Sequence, residues 1–265
     1  MERPRKEWAK LFIEINMSLE DKRFLVIGES CLDVFWYGPV PRLAPEAPAP
    51  VFIPTARTQN PGMAMNVQKN IEALGGNCDL ITNPNWEDIH KTRFIHDNTN
   101  QMLMRVDVND NTVGRCNVKS INLLDYDAVV ISDYCKGFLQ EEDIHHIGMT
   151  HPNVFLDTKK KLGSWCEDVS FIKINNYEFE QSRGLLDDRL VDKLIVTLGR
   201  KGCLYQGKTY PVESVDIKDV SGAGDTFLSG FVVKYTTTGD IDKSLEYANE
   251  CATVVVQKKG VSTVS

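Results

Sequence analysis

DVSGAGDTFLSG, residues 219–230, places three residues with little or no side chain, Gly222, Ala223 and Gly224, directly before an apolar run. Backbone N–H groups at such a turn can face an anion, and the positive end of the following helix assists them. Asp225 falls in the first helical turn beside that cradle. A carboxylate there can take a proton from a hydroxyl while the amides hold a phosphoryl group in transfer. GAGD alone also reads as an ordinary glycine-rich turn with an acidic residue at a helix start.

Outward from this turn, short apolar runs recur: FLVIG (24–28), CDLIT (78–82), DAVVIS (127–132), NVFLD (153–157), SFIKIN (170–175) and KLIVTLG (193–199). Helical stretches lie between most of them. One covers 64–74, with apolar residues at 64, 67, 71 and 74 and a Gly75-Gly76 stop. Two more, about 223–236 and 241–257, close the chain. This alternation predicts an α/β fold with a mostly parallel central sheet and helices on both faces. Two pieces break the pattern. Residues 34–60 hold prolines at 39, 41, 45, 48, 50 and 54, which exclude an ordinary helix or central strand. In 92–118, RFIH (93–96) and QMLMRVDV (101–108) flank DNTN as a hairpin. Together they are read as a small β lid of antiparallel strands on a single domain spanning 1–265.

Composition narrows the function. Of 265 residues, 30 are Lys or Arg and 37 Asp or Glu, a net charge of −7, which argues against nucleic acid or an anionic membrane as the main partner. No apolar run reaches the roughly 20 residues of a membrane span. Trp8, Leu11, Phe12 and Ile15 fall at helical spacing in a charged N-terminus and read as a docked amphipathic helix rather than a signal peptide or anchor. Seven cysteines without a CxxC pair suit buried thiols in a reducing, cytoplasmic setting. The five histidines form no zinc motif.

The chain resembles the ribokinase-like (PfkB-type) carbohydrate kinases, whose signature D-x-x-G-A-G-D stands here as Asp219-Val220-Ser221-Gly222-Ala223-Gly224-Asp225. More narrowly, it is similar to the kinase domain of the bifunctional heptose 7-phosphate kinase/heptose 1-phosphate adenylyltransferases. The matching segments are LDVFWYGPVPRLAPEAPAPV (32–51), PGMAMNVQKNIEALG (61–75), ISDYCKG (131–137), NNYEFE (175–180) and KKGVSTVS (258–265). The resemblance implies ATP-dependent phosphorylation of a sugar phosphate, with D-glycero-D-manno-heptose 7-phosphate the leading substrate and its anomeric hydroxyl the acceptor. The rivals are another sugar kinase of the superfamily, and a nucleotide- or sugar-binding homologue with little turnover.

The resemblance also assigns roles. Asp225 is the implied base and Gly222, Ala223 and Gly224 the anion hole. Asn175, Asn176, Tyr177 and Glu178, with Thr197, Gly199 and Asp219, are implied on the nucleotide and magnesium side. Glu178 suits a magnesium-bound water, although N-x-x-E is equally a helix-capping box, and Gly199 with Gly202 is equally a hairpin turn. Asp33, read at the end of the first strand, Gly62 and Asn66 fall on the sugar side. A carboxylate and an amide suit neighbouring hydroxyls. Arg93, Arg105 and Lys136 are the candidate cations for the sugar's phosphate, the arginines reading equally as solvated lid residues. Trp36 and Tyr37 either wall the sugar site or pack in the lid. Magnesium is implied with ATP; potassium activation is compatible with the loop and demanded by nothing in it.

Relatives pair their lids, which implies a homodimer through 34–60 and 92–118; the alternative is a monomer whose lid folds on its own body. No adenylyltransferase domain is seen, so a separate one is implied downstream. Three departures stand out. Gly62-Met63 replaces the family's Gly-Gly. Only NPNWEDIHK bridges 82 and 92, where the family has a further helix and strand, leaving a sheet edge open. The sequence ends at Ser265, ahead of the family's last helix.

Overall fold

The computed structural model describes Leu19 and residues 21–264; the expected helix around Trp8 to Ile15 lies outside them. The strands are β1 (Arg23–Gly28), β2 (Ser30–Gly38), β3 (Arg42–Leu43), β4 (Pro50–Val51), β5 (Ala56–Met63), β6 (Asn77–Ile81), β7 (His90–His96), β8 (Met102–Val108), β9 (Ala128–Asp133), β10 (Val154–Thr158), β11 (Phe171–Asn175), β12 (Leu194–Thr197), β13 (Cys203–Tyr205) and β14 (Lys208–Tyr210).

The main sheet runs β14-β13-β12-β11-β10-β9-β1-β6. It is parallel from β6 to β12 and ends in the antiparallel β12-β13-β14 meander. The apolar runs are continuous because both faces are covered. Along β1, Phe24 and Val26 face one side, packing with Val67, Ile71, Phe227 and Phe231 of the helices Ala64–Ala73 and Ala223–Thr238. Leu25 and Ile27 face the other, with Ile144 and Ile147 of the helix Glu141–Thr150. Each of these fully buried side chains contributes about 1.5–3 kcal/mol. Under the first face Phe155, Phe171, Phe231 and Tyr235 form one aromatic cluster, with Phe171 and Tyr235 centroids 4.8 Å apart.

A second sheet, β5-β2-β7-β8, is the expected lid. Its outer pairs are antiparallel, but β2 and β7 run parallel, a correction to the all-antiparallel expectation. The reason is connectivity: the chain enters β2 and β7 from the same end, out of β1 and β6. Four crossings join body and lid, and hydrogen bonds tie them together. Ala64 N donates to Glu29 O (2.9 Å), Leu32 N to Ile89 O (2.8 Å), Ser30 N to Asn83 Oδ1 (2.8 Å) and Asn85 Nδ2 to Thr112 O (3.1 Å). At the far end Asn100, in the β7-β8 turn, donates to Lys218 O just ahead of the GAGD turn. The shortened bridge after β6 indeed leaves β6 at the sheet edge.

Candidate active site

The GAGD turn sits where the sequence places it. Gly222 (φ 78°) precedes the helix Ala223–Thr238, a left-handed conformation that favours glycine. A Cβ on Gly224 would fall 2.9 Å from Lys173 Nζ, so the turn and that lysine lie against each other. Asp225, 6% exposed, accepts from Asn66 Nδ2 at 2.7 Å on one oxygen and from Tyr134 OH at 3.1 Å on the other. Burial pushes its carboxyl up to about 6. The Asn66 hydrogen bond opposes this, Asp157 adds to it, and Lys173 and Tyr134 pull it back. The result is an oriented base in the range useful for proton abstraction near neutral pH.

Asp219 serves the loop itself: Ser221 N donates to Oδ1 (2.8 Å) and Gly260 N to Oδ2 (3.1 Å), joining the GAGD turn to the 258–263 segment. On the nucleotide side Asn175 and Glu178 form a reciprocal capping box. Glu178 N donates to Asn175 Oδ1 (2.9 Å) and Asn175 N to Glu178 Oε2 (2.8 Å) at the start of the helix Asn176–Ser182. The capping alternative is thus real, and it holds Glu178 where its other oxygen meets Lys159 Nζ at 2.5 Å. Asn176 and Tyr177 are exposed on the first turn. Thr197 and Gly199 line a cavity of about 320 Å³ with Val215, Ala223, Gly224 and Phe227, beside the cradle. Gly199 to Lys201 also makes the turn between β12 and β13, as the hairpin reading expects.

Asp33 lies within β2 of the lid rather than at the end of β1, because the chain leaves the main sheet at Gly28. It accepts from Arg93 Nη1 at 2.6 Å. Across the pair a Cβ on Gly62 would lie 2.2 Å from Asp33 Oδ2. Met63 takes φ 62°, the left-handed region that a non-glycine residue occupies at a cost, and its side chain packs with Cys31 and Ile89. Arg105 pairs with Asp107 on its own strand, at 2.7 and 2.6 Å, holding that carboxyl below its usual range. Lys136 pairs with Asp110, which also meets Lys91 at 3.1 Å. Tyr37 lines a second cavity, of about 490 Å³, with Asn60 and Lys259, whereas Trp36 lies under Arg57.

Several groups were missed. Glu29, fully buried, accepts from the N–H groups of Tyr134, Lys136 and Phe138. Asp133 accepts from Lys160 Nζ at 2.6 and 2.7 Å. Lys173 Nζ meets Asp157 Oδ2 at 2.6 Å. Glu29 and Asp133 stand at the carboxyl ends of apolar strands, and that position was the available signal; Asp157 and Lys173 lie within such runs. Among the described residues no group of three or more His, Cys, Asp or Glu could hold a metal, and no helix is long and apolar enough to cross a membrane.

A buried carboxylate at a helix start behind a glycine cradle, on a mostly parallel sheet with a β lid, is the architecture of ribokinase-like kinases. Solved ribokinases share the fold. Ribokinase from Thermotoga maritima matches at TM-score 0.67, 14% identity, over 91% of this chain and 94% of that one. Arabidopsis thaliana ribokinase, complexed with ribose and ATP, matches at 0.65, 14% identity, over 92% and 94%. At such identity the likeness is one of fold. Residues 143–265 match the pfkB family carbohydrate kinases, so this stretch carries a PfkB-family domain. Bifunctional protein HldE of Vibrio vulnificus is 30% identical over 293 residues, covering 91% of this chain. The chain spans 61% of that relative's length.

Proposed function

We propose that this carbohydrate kinase transfers the terminal phosphoryl group of ATP to the anomeric hydroxyl of a sugar phosphate, with D-glycero-D-manno-heptose 7-phosphate its substrate and the 1,7-bisphosphate its product. The observation that carries the reading is Asp225, buried beside the Gly222–Gly224 cradle, with Asn66 and Tyr134 fixing its oxygens. The similarity to the HldE proteins supports the choice of sugar.

Asp225 removes the hydroxyl proton as that oxygen bonds to the terminal phosphorus. The bridging phosphorus–oxygen bond breaks and ADP leaves. The cradle amides receive the charge of the group in flight. The cavity beside Thr197 and Phe227 takes the nucleoside, while Asp33 and Asn66 orient sugar hydroxyls and Arg93 with Lys136 meets the sugar's phosphate. The lack of a carboxylate cage among the described residues fits a magnesium ion that arrives on nucleotide phosphates and keeps its waters, with Glu178 accepting from one of them. That ion, when bound, neutralises phosphate charge. Potassium beside the GAGD loop is a further option. Met102, Met104, Val106 and Val108 are exposed along edge strand β8, which supports a homodimer through the lids. The setting is cytoplasmic, and an adenylyltransferase acts downstream of the product.

ADP release, measured against a panel of sugar phosphates, tests this. Turnover with heptose 7-phosphate above all others is expected. Turnover with a different sugar alone refutes the substrate. ATP binding without turnover on any sugar favours the binding homologue, a reading supported by Met63 at positive φ where relatives carry glycine.

A further inference from the structure

A line of alternating charge runs from the GAGD turn to the Asn175–Glu178 box. Lys173, 5% exposed on β11, lies against Gly224 and binds Asp157 Oδ2 at 2.6 Å. Asp157, 4% exposed at the end of β10, keeps its Oδ1 without a hydrogen bond; Lys159 Nζ stands 3.7 Å from it. Lys159 reaches on to Glu178 Oε1 at 2.5 Å and stands 5.4 Å from the ring centroid of Tyr134, the residue that donates to Asp225. The Lys159 side chain is one third exposed, 33%, and so reachable by a solute beside Glu178, whereas Lys173 is enclosed.

A buried carboxylate oxygen left unbonded is costly. Lys159 and Lys173 are balanced by Asp157 and Glu178, so releasing Lys159 from Glu178 frees one positive charge beside a cradle built for an anion. A lysine held by an exchangeable carboxylate partner, in reach of the turn, can trade that partner for a phosphate oxygen. Resting on the kinase reading above, we propose that Lys159 is a catalytic residue that leaves Glu178 to bind the terminal phosphate of the triphosphate nucleotide. Asp157 and Lys173 act as positioning residues, setting where Lys159 stands and backing the Gly224 end of the cradle. The exchange gives Glu178 a free oxygen when the nucleotide arrives, so one movement serves both the phosphate and the bound ion's water. Such a contact favours a triphosphate over a diphosphate, since only the terminal phosphate engages it.

Calorimetry with β,γ-imido-ATP and with ADP reads the contact without turnover. Wild type is expected to prefer the triphosphate analogue. Lys159→Met should reduce that preference about 10-fold to 100-fold, the scale of a lost charged hydrogen bond, with ADP affinity unchanged and Lys159→Arg restoring most of it. Lys173→Met should weaken the preference in the same direction. Where it fails to fold, the charge-neutral Asp157→Asn/Lys173→Met pair replaces it. Unchanged preference in Lys159→Met overturns the inference, even in an enzyme that turns over heptose 7-phosphate. A lost preference in a protein that phosphorylates no sugar keeps the inference and removes the sugar kinase reading instead.

Discussion

Asn66 Nδ2 donates to Asp225 Oδ2 across 2.7 Å, a bond between residues 159 positions apart that joins the first turns of two helices. It fixes the base's orientation and stabilises its ionised form against burial. Asp225→Asn keeps the shape and removes the proton acceptor. The expected result is a kcat lowered by about 10²-fold or more, with nucleotide affinity retained in titration calorimetry.

The base sets the pH dependence. With its carboxyl raised to about 6, kcat/KM should climb through that region and level off above it. Folding stability should move the other way. Between about 4 and 6 the folded chain holds a proton that the unfolded chain has released, so Asp225 costs stability above that window and nothing below it. Asp225→Asn should therefore raise Tm at pH 7.5 and leave it unchanged near pH 4, a gain on the order of 2 kcal/mol at the higher pH. Equal Tm differences at both pH values would contradict the shift.

Glu178 caps a helix and, in the proposed function, also serves the nucleotide side. Glutamine preserves a capping box, so Glu178→Gln should fold normally in circular dichroism and yet need more magnesium for half-maximal rate, because a charged acceptor is lost. A magnesium titration that superimposes on wild type would leave Glu178 with the cap alone.

Met63 offers a test of strain. Alanine normally stabilises a chain relative to glycine. At φ 62° the order should reverse, with Met63→Gly more stable than Met63→Ala by about 1 kcal/mol in urea unfolding.

The exposed apolar stripe of β8 predicts assembly. Light scattering at micromolar concentration should give a dimer mass, and Met104→Glu with Val106→Glu should give a monomer. A wild-type monomer, or a double variant that still dimerises, would place any interface elsewhere.

The body was legible because every buried parallel strand is a short apolar run. The helix Ala64–Ala73 declared itself by spacing, and Asp225 by its glycines. The lid was legible as an exception to the pattern, but its β2-β7 pairing was not, since parallel register depends on where the chain re-enters rather than on any local run. That is also why Asp33 was assigned to the wrong strand: only Glu29, Ser30 and Cys31 separate FLVIG from LDVFWY, and the departure from the sheet lies at Gly28, held close to Ser132 O. Lys173 and Asp157 were hidden for a related reason. Each sits in an apolar run that reads as core, and the pairing that makes such charges tolerable lies 16 residues away.

The four crossings between body and lid are laced to one another by Glu29 O, Ile89 O, Asn83 and Asn85, while the opposite end is held by Asn100 on Lys218 O. Mechanically that is a door: one pivot line, one latch. Rotation about the laced end would unpair no strand and would part the Asn100–Lys218 contact at the tip, a motion of the kind that occurs in microseconds to milliseconds. Because Asn100 holds the residue directly before Asp219, such a rotation would also pull on the segment leading into the glycine turn, so lid position and the shape of that turn are joined at one point.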